Sequence, residues 1–295
     1  MEKKGLKNAF QAINQRYREE KAKLGFQNGE ELEAYFLYRT PATQAVLKKV
    51  LAHLEGERYK TALELGSGPG SSYPVLKDLF CEKIVYIEKE TGFHREYPGV
   101  TWIFRDFLEN FDYPESDLVL FSYSLGELNS TEQFLALEKG LRAMKKRIVI
   151  VEPGTPAGFK TLLQARDYLI EKGCTIEAPC YHSASCPKKE KPWCHFSVRL
   201  QRSRIHRQIK GGTLGYEDEK YCYIVASLEP LDKEKFTILD TPKVEKHRLQ
   251  MNLCTAQGEK IFECKAKSKE LFKILKKKGW GENLDSSILS GIQPG

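Results

Sequence analysis

The first ~50 residues repeat their apolar positions at helical spacing, with Phe10, Ile13 and Tyr17 on one face of the opening segment. Pro41 is then expected to open a second helix, ATQAVLKKVLAHL, whose Ala45, Val46, Leu47, Val50, Leu51 and Leu54 form a buried face. From Tyr59 the pattern changes to short apolar runs (TALEL, KIVYIE, TWIFRD, DLVLFSY, RIVIVE) separated by helical stretches such as YPVLKDLF and TEQFLALEKGLRAM. Strand–helix alternation of this kind predicts a doubly wound parallel sheet. A helix over PAGFKTLLQARDYLIEKG leads to CTIEAP and, after a long break, KYCYIVASL, the expected sixth and seventh strands. FTILD, VEKHRLQMNLC and EKIFECK then read as strands of a small subdomain closed by a lysine-rich helix. The expected organisation is an N-terminal helical region at 1–57 and a Rossmann-like domain at 58–230 with an insertion at 179–215. A C-terminal β subdomain with a basic helix follows at 231–295.

Composition narrows the class. Hydrophobic residues make up 41% and charged residues 29% of the 295-residue chain, an ordinary globular balance. No apolar run approaches the ~18 residues of a membrane span, and the charged, acid-containing start MEKKGLKNAF lacks the core of a signal or transit peptide. A cytoplasmic protein off the membrane, monomeric, is the expectation. The net charge of +7 says little, but its distribution says more. Arg199, Arg202, Arg204, Arg207 and Lys210 follow one another with no acid between them, and Lys265 to Lys278 holds seven lysines, Lys273, Lys276 and Lys277 among them, against Glu270. Blocks like these are the footprint of phosphate binding, or else a solvated helix face.

The sharpest local signal is Glu64-Leu-Gly-Ser-Gly-Pro-Gly70, directly after a strand and before a helix. Gly66, Gly68 and Gly70 supply the backbone freedom and close approach that a ligand-cradling turn needs, and Glu64 at the strand end can face an amino group. The arrangement is similar to the first motif of class I S-adenosylmethionine-dependent methyltransferases. A dinucleotide fingerprint places its third glycine later. Glu88, ending the second strand, is placed for ribose hydroxyls, and Asp106, after the third, for an adenine amino group. Ser67 in the loop and Ser122 after the fourth strand complete the candidate cofactor set. The segment after that strand, Phe121-Ser-Tyr-Ser-Leu-Gly-Glu-Leu128, carries neither the Asn/Asp-Pro-Pro-aromatic motif of amine methylation nor a Pro-Cys nucleophile. Tyr123, as a stacking surface, and Glu127, as a base, are the catalytic candidates; packing or capping is their other reading.

Three of the eight cysteines crowd into fifteen residues as C-x5-C-x7-C: Cys180, Cys186 and Cys194. Without a secretion signal this suggests a metal rather than disulfides. Thiolates bind zinc or iron–sulfur clusters; zinc ribbons use tighter pairs, and the wider gaps suit a larger object without deciding the matter. Cys81 and Cys174 read as core cysteines.

The run VEPGTPAGFKTLLQAR, then APCYHSASCP and WCHFSVRLQRSRIHRQIK, resembles the methyltransferase-like mitochondrial small-ribosomal-subunit assembly factors and their bacterial relatives. The resemblance begins near Tyr38-Arg-Thr-Pro41, passes through SYSLGEL and reaches KKKGWGEN, so it covers most of the chain. It implies a 4Fe–4S cluster on Cys180, Cys186, Cys194 and a fourth cysteine, with Cys254 in the best position and Cys264 and Cys222 as alternatives. His182 and His195 would be ligands if the metal were zinc, and otherwise stand beside the centre or face RNA. The implied partners are the small ribosomal subunit and its rRNA. Three functions follow: a methyltransferase-like protein acting on that RNA, a non-catalytic assembly factor that only binds the cofactor, and a small-molecule or protein methyltransferase.

Overall fold

The computed structural model describes residues 3–18, 26–79, 81–188, 193–204, 207, 214–231 and 233–287. Two helices come first, α1 (Lys3–Arg18) and α2 (Gly29–Leu51). They pack through Phe10, Ile13 and Ala34, and α1 is tied on by Arg16, which ion-pairs with Glu31. Asn28 caps α2 by accepting the Glu31 N–H. Pro41 lies inside α2 and does not open it, since the helix begins twelve residues earlier at Gly29, after the Asn28 cap. A proline there removes one intrahelical hydrogen bond. Burial of Ala34 and Thr40 before it, and of Val46, Leu47, Val50 and Leu51 after it, holds the helix together.

The Rossmann-like sheet contains β1 (Thr61–Leu65), β2 (Lys83–Glu88), β3 (Val100–Phe104), β4 (Ser116–Ser122), β5 (Met144–Pro153), β6 (Thr175–Ala178), β7 (Phe196–Gln201) and β8 (Tyr216–Ser227). Its order is β3-β2-β1-β4-β5-β8-β6, the first five strands parallel and β8 antiparallel to its neighbours. Leu118 to Phe121 are fully buried because helices cover both faces. On one face lie α2 and α3 (Tyr73–Asp78), through Val46, Val50 and Leu76; on the other lie α4 (Ser130–Ala143) and α5 (Pro156–Glu171), through Leu137, Phe159 and Leu169. The seventh-position strand was expected over KYCYIVASL but starts at Tyr216, and its extra first half pairs with β7, a strand absent from the sequence reading. The first basic block therefore begins inside a hairpin.

The C-terminal sheet, built on Ile238, Leu249, Met251, Leu253 and Cys264, comprises β9 (Lys235–Ile238), β10 (Lys243–Val244), β11 (Arg248–Thr255), β12 (Gly258–Lys265) and β13 (Asn283–Asp285). The run VEKHRLQMNLC is two strands, β10 and β11, paired by a tight reversal. The basic helix α6 (Lys269–Leu275) is short, buries Leu275, and ends before Lys276 and Lys277. No helix among the described residues is long and apolar enough to cross a membrane.

Candidate functional site

Both candidate sites stand at the ends of sheet strands, the place where an open α/β sheet offers a crevice. In the loop after β1, Gly66, Gly68 and Gly70 all adopt positive φ, at 70°, 53° and 70°. A Cβ on Gly66 would lie 2.6 Å from Ser124 Cβ, and one on Gly70 2.8 Å from the Tyr86 ring, whereas one on Gly68 would meet nothing within 4 Å. The first and third glycines thus close the loop onto the fold, and the second faces open space. The Gly68 N–H donates to Glu88 Oε2 at 2.7 Å, and the Glu90 N–H donates to its other oxygen at 2.9 Å, so Glu88 is held at the loop mouth. Glu64 turns inward: Ser72 Oγ donates to it, and Tyr86 OH lies 2.9 Å from that hydroxyl. Burial pushes the Glu64 carboxyl up to about 8. Asp106 is half-buried and accepts the Leu108 N–H at 2.9 Å.

At the end of β4 the chain makes a turn that sequence reasoning undervalued. Tyr123 has φ 61°, the one non-glycine among the described residues at positive φ, held by its N–H bond to Val151 O at 2.8 Å. Its hydroxyl and those of Ser67, Ser122 and Ser124 are buried without a hydrogen-bond partner. Arg39, from α2, lies 4.5 Å over the Tyr123 ring and donates to Glu219 at 2.7 Å. Beneath the turn, Glu152 accepts the Gly126 N–H at 3.1 Å, and burial pushes its carboxyl up to about 8. Glu127, in the same turn, is exposed.

The second site is the cysteine segment. Cys180, Cys186, Cys194 and Cys254 all line one narrow cleft partly open to solvent. Cys254 comes from β11, so the cleft lies between the two sheets. Among the described residues, Cys180, His182 and Cys254 bring their ligand atoms within 4.8 Å of one another, and His182 Nε2 is 3.4 Å from Cys254 Sγ. The Cys180 thiol is pulled down, first by its hydrogen bond with Cys254 and further by Arg166, while Cys254 is pushed up. Burial and the neighbouring cysteines push Cys194 far up. Metal binding needs these thiols deprotonated, and a bound cation would favour that form. Cys222 lines an adjoining cleft with Cys180, Cys186 and Cys194, but its thiol donates toward Pro153 O at 3.4 Å; Cys264 sits in the core of the C-terminal sheet, and Cys81 and Cys174 are buried.

Arg166 was not singled out from sequence, where a basic residue on an amphipathic helix carries no signal. Buried on α5, it donates to His182 O at 2.9 Å and Ala184 O at 2.7 Å, bracing the segment between the first two cysteines. Trp193 Nε1 donates to Gly154 O at 3.0 Å, and Lys188 pairs with Glu259 at 2.6 Å, so the segment is fastened to both sheets. His195 stands aside from the thiols, between Trp193 and Trp280.

Of the basic residues, Arg199 is paired with Asp218 at 2.7 Å and Arg202 with Glu217 at 3.2 Å, because the β7–β8 hairpin brings β8's acids opposite them. Arg204 and Arg207 are exposed, as are Lys273, Lys276 and Lys277; Lys210 lies outside the described residues.

A parallel sheet closed by an antiparallel seventh-position strand, with a glycine loop after β1 and acids after β2 and β3, defines the class I methyltransferase-type Rossmann fold. Residues 29–285 match the family described as mitochondrial small ribosomal subunit Rsm22, and the chain belongs to that family. It is 25% identical over 270 residues to the human mitochondrial "Ribosome assembly protein METTL17", an alignment covering 80% of this chain and 57% of that protein. The chain thus spans less than two thirds of that relative's length. Similar solved structures include the N-methyltransferase NodS of Bradyrhizobium japonicum with S-adenosylhomocysteine (14% identity, 75% of this chain and all of that one, TM-score 0.42). Another is the magnesium protoporphyrin IX methyltransferase of Synechocystis with S-adenosylmethionine (10% identity, 73% and 90% covered, TM-score 0.41).

Proposed function

We propose that this protein is an S-adenosylmethionine-binding, methyltransferase-like factor that acts on small-subunit ribosomal RNA during ribosome assembly and carries a cysteine-held 4Fe–4S cluster. The observation that carries the cofactor reading is the β1 loop. Three positive-φ glycines leave an open mouth beside Glu88, and four buried hydroxyls around it, on Ser67, Ser122, Tyr123 and Ser124, lack partners that a polar ligand would supply. When bound, the cofactor supplies an electrophilic methyl group. The chain's part would be to grip the ribose through Glu88, to meet the adenine near Asp106, and to present the turn at Tyr123 to an acceptor. Membership of the Rsm22 family and the likeness to a ribosome assembly protein support the small subunit as partner, and the exposed Arg204, Arg207, Lys273, Lys276 and Lys277 are the residues offered to its phosphates.

The cluster would be held by Cys180, Cys186, Cys194 and Cys254, whose shared cleft supports four-thiolate ligation. His182, as close to Cys254 as it is, is the ligand that a single zinc would recruit. Anaerobic purification distinguishes the two: about four irons with sulfide and broad visible absorbance for the cluster, or one colourless zinc. Transfer of a labelled methyl group from the cofactor to assembling small subunits tests catalysis. Cofactor binding without transfer is the outcome expected of a purely assembling factor, a reading favoured by the missing Asn/Asp-Pro-Pro motif after β4. Binding of rRNA that ignores salt would point to a small-molecule or protein substrate instead.

A further inference from the structure

S-Adenosylmethionine bears a carboxylate at its methionine end, and the residues gathered so far around the loop do not answer it. Glu64, Glu88 and Asp106 are acids, and Ser67, Ser122 and Ser124 are neutral. The cation comes from α2. α2 lies across the strand ends so that consecutive residues touch both halves of the pocket. Thr40 Oγ1 is 3.0 Å from the hydroxyl of Ser71, the residue after Gly70, and Arg39 lies 4.5 Å over the Tyr123 ring, between the two unpartnered serines in sequence.

Arg39 is built into its place. Glu219 takes Nη1 at 2.7 Å, yet the guanidinium carries more N–H donors than that one contact uses, and 19% of its side-chain surface stays exposed. Tyr123 reinforces it: a tyrosine in the left-handed region is a costly conformation, kept where the surroundings impose it. Here it places the ring under Arg39 and leaves the hydroxyl buried without a partner.

Resting on the cofactor reading above, we propose that Arg39 anchors the carboxylate of the cofactor's amino-acid moiety, with the Tyr123 hydroxyl as a second donor. An arginine fork suits a planar carboxylate, and Glu219 keeps the fork oriented while no ligand is present.

The test uses the full chain in calorimetry with S-adenosylmethionine and with decarboxylated S-adenosylmethionine, which lacks only the group in question. The wild type should prefer the first by about tenfold or more, as befits a charge-assisted contact. Arg39→Gln, which retains a side-chain donor for Glu219, should lower affinity for the intact cofactor to that for the decarboxylated one and leave the latter within about twofold of wild type. Arg39→Lys should recover part of the preference, and Tyr123→Phe should lose a smaller part. If Arg39→Gln weakens both ligands equally, or if the preference survives it, Arg39 is a structural residue and the assignment is overturned. Should Arg39→Gln fail to fold, the partial preference of Arg39→Lys decides the same question. A wild type that binds neither ligand would overturn the cofactor reading itself, and this assignment with it.

Discussion

The two glycines that open the cofactor loop should fail in different ways when given a methyl group. At Gly66 an added Cβ would stand 2.6 Å from Ser124 Cβ and 3.2 Å from the Phe107 ring, in a backbone at φ 70°. The left-handed conformation costs an L-residue roughly 1–2 kcal/mol, and forcing a methyl into packed surroundings adds about 1–3 kcal/mol. Gly66→Ala should therefore lose roughly 2–5 kcal/mol of stability, a large part of what a typical domain has. At Gly68 the backbone term is similar, φ being 53°, but nothing lies within 4 Å of the new methyl. Gly68→Ala should lose only about 1–2 kcal/mol of stability and keep its fold, while its methyl enters the space proposed for the cofactor. The assay pairs urea denaturation of both variants with calorimetric titration of S-adenosylmethionine. Equal destabilisation of the two variants would refute the steric reasoning. Undiminished affinity in Gly68→Ala would refute the placement of the ligand against that glycine.

Arg166→Met leaves the His182 and Ala184 carbonyls without their donor, each worth about 1–3 kcal/mol when buried, so the variant should purify with depleted metal and a lowered melting point, and Arg166→Lys should lie between; full metal content would refute the bracing role. Glu152 has a carboxyl near 8 when folded against an ordinary value of 4.5, so the folded chain holds the proton more tightly and stability should fall as pH rises from about 4.5 to 8. Glu152→Gln should remove on the order of a few kcal/mol of that slope, read as melting at pH 5.5 and pH 8, and an unchanged slope would place the proton elsewhere. Reversing Lys273, Lys276 and Lys277 to glutamate should weaken rRNA binding and flatten its salt slope by about one per lost phosphate contact. Neutralising Arg199 and Arg202 should matter less, because each already faces an acid, and a larger effect from that pair would reverse the assignment.

The β1–β5 core was legible in the chain because buried parallel strands are apolar on both faces and need no distant partner to be recognised. The same holds for Gly66, Gly68 and Gly70, whose spacing alone demands an unusual backbone, and all three take it. What escaped depends on residues far apart in sequence. Pro41 looks like a helix start, and only the burial of Ala34 and Thr40 shows that the helix continues upstream through Arg39. Arg199 looks like one member of a cationic block until the β7–β8 hairpin sets Asp218, nineteen residues on, beside it. Arg166 and Tyr123 are the sharpest misses in role: a buried arginine and a strained tyrosine have no one-dimensional signature, since burial and φ come from the packing around them.

The two candidate sites share α2, and this bears on whether they work independently. Arg39 sits beside the cofactor loop. Just beyond the C-terminal end of α2, about 21 Å from Arg39 at 1.5 Å per residue, His53 lies 2.8 Å from Tyr223 OH and 3.5 Å from Tyr181 OH, next to Cys180. Tyr181 in turn accepts from Asn283 of β13 at 2.7 Å, and Asn283 holds Thr237, which donates to Pro179 O. The cysteine segment is thereby tied to α2, to the main sheet and to the C-terminal sheet at once. Its described residues between β6 and β7 form no helix or strand, so ligand binding at its thiols would contribute directly to the order of everything fastened to it. Pro41 lies between Arg39 and His53, at the point where α2 lacks a backbone N–H and bends most easily. α2 is thus held near its middle by Arg39 and just past its C-terminal end by His53. The proposed metal would therefore do more than fill the cleft: bound to thiols from the β6–β7 segment and from β11, it would fix the relation of the two sheets.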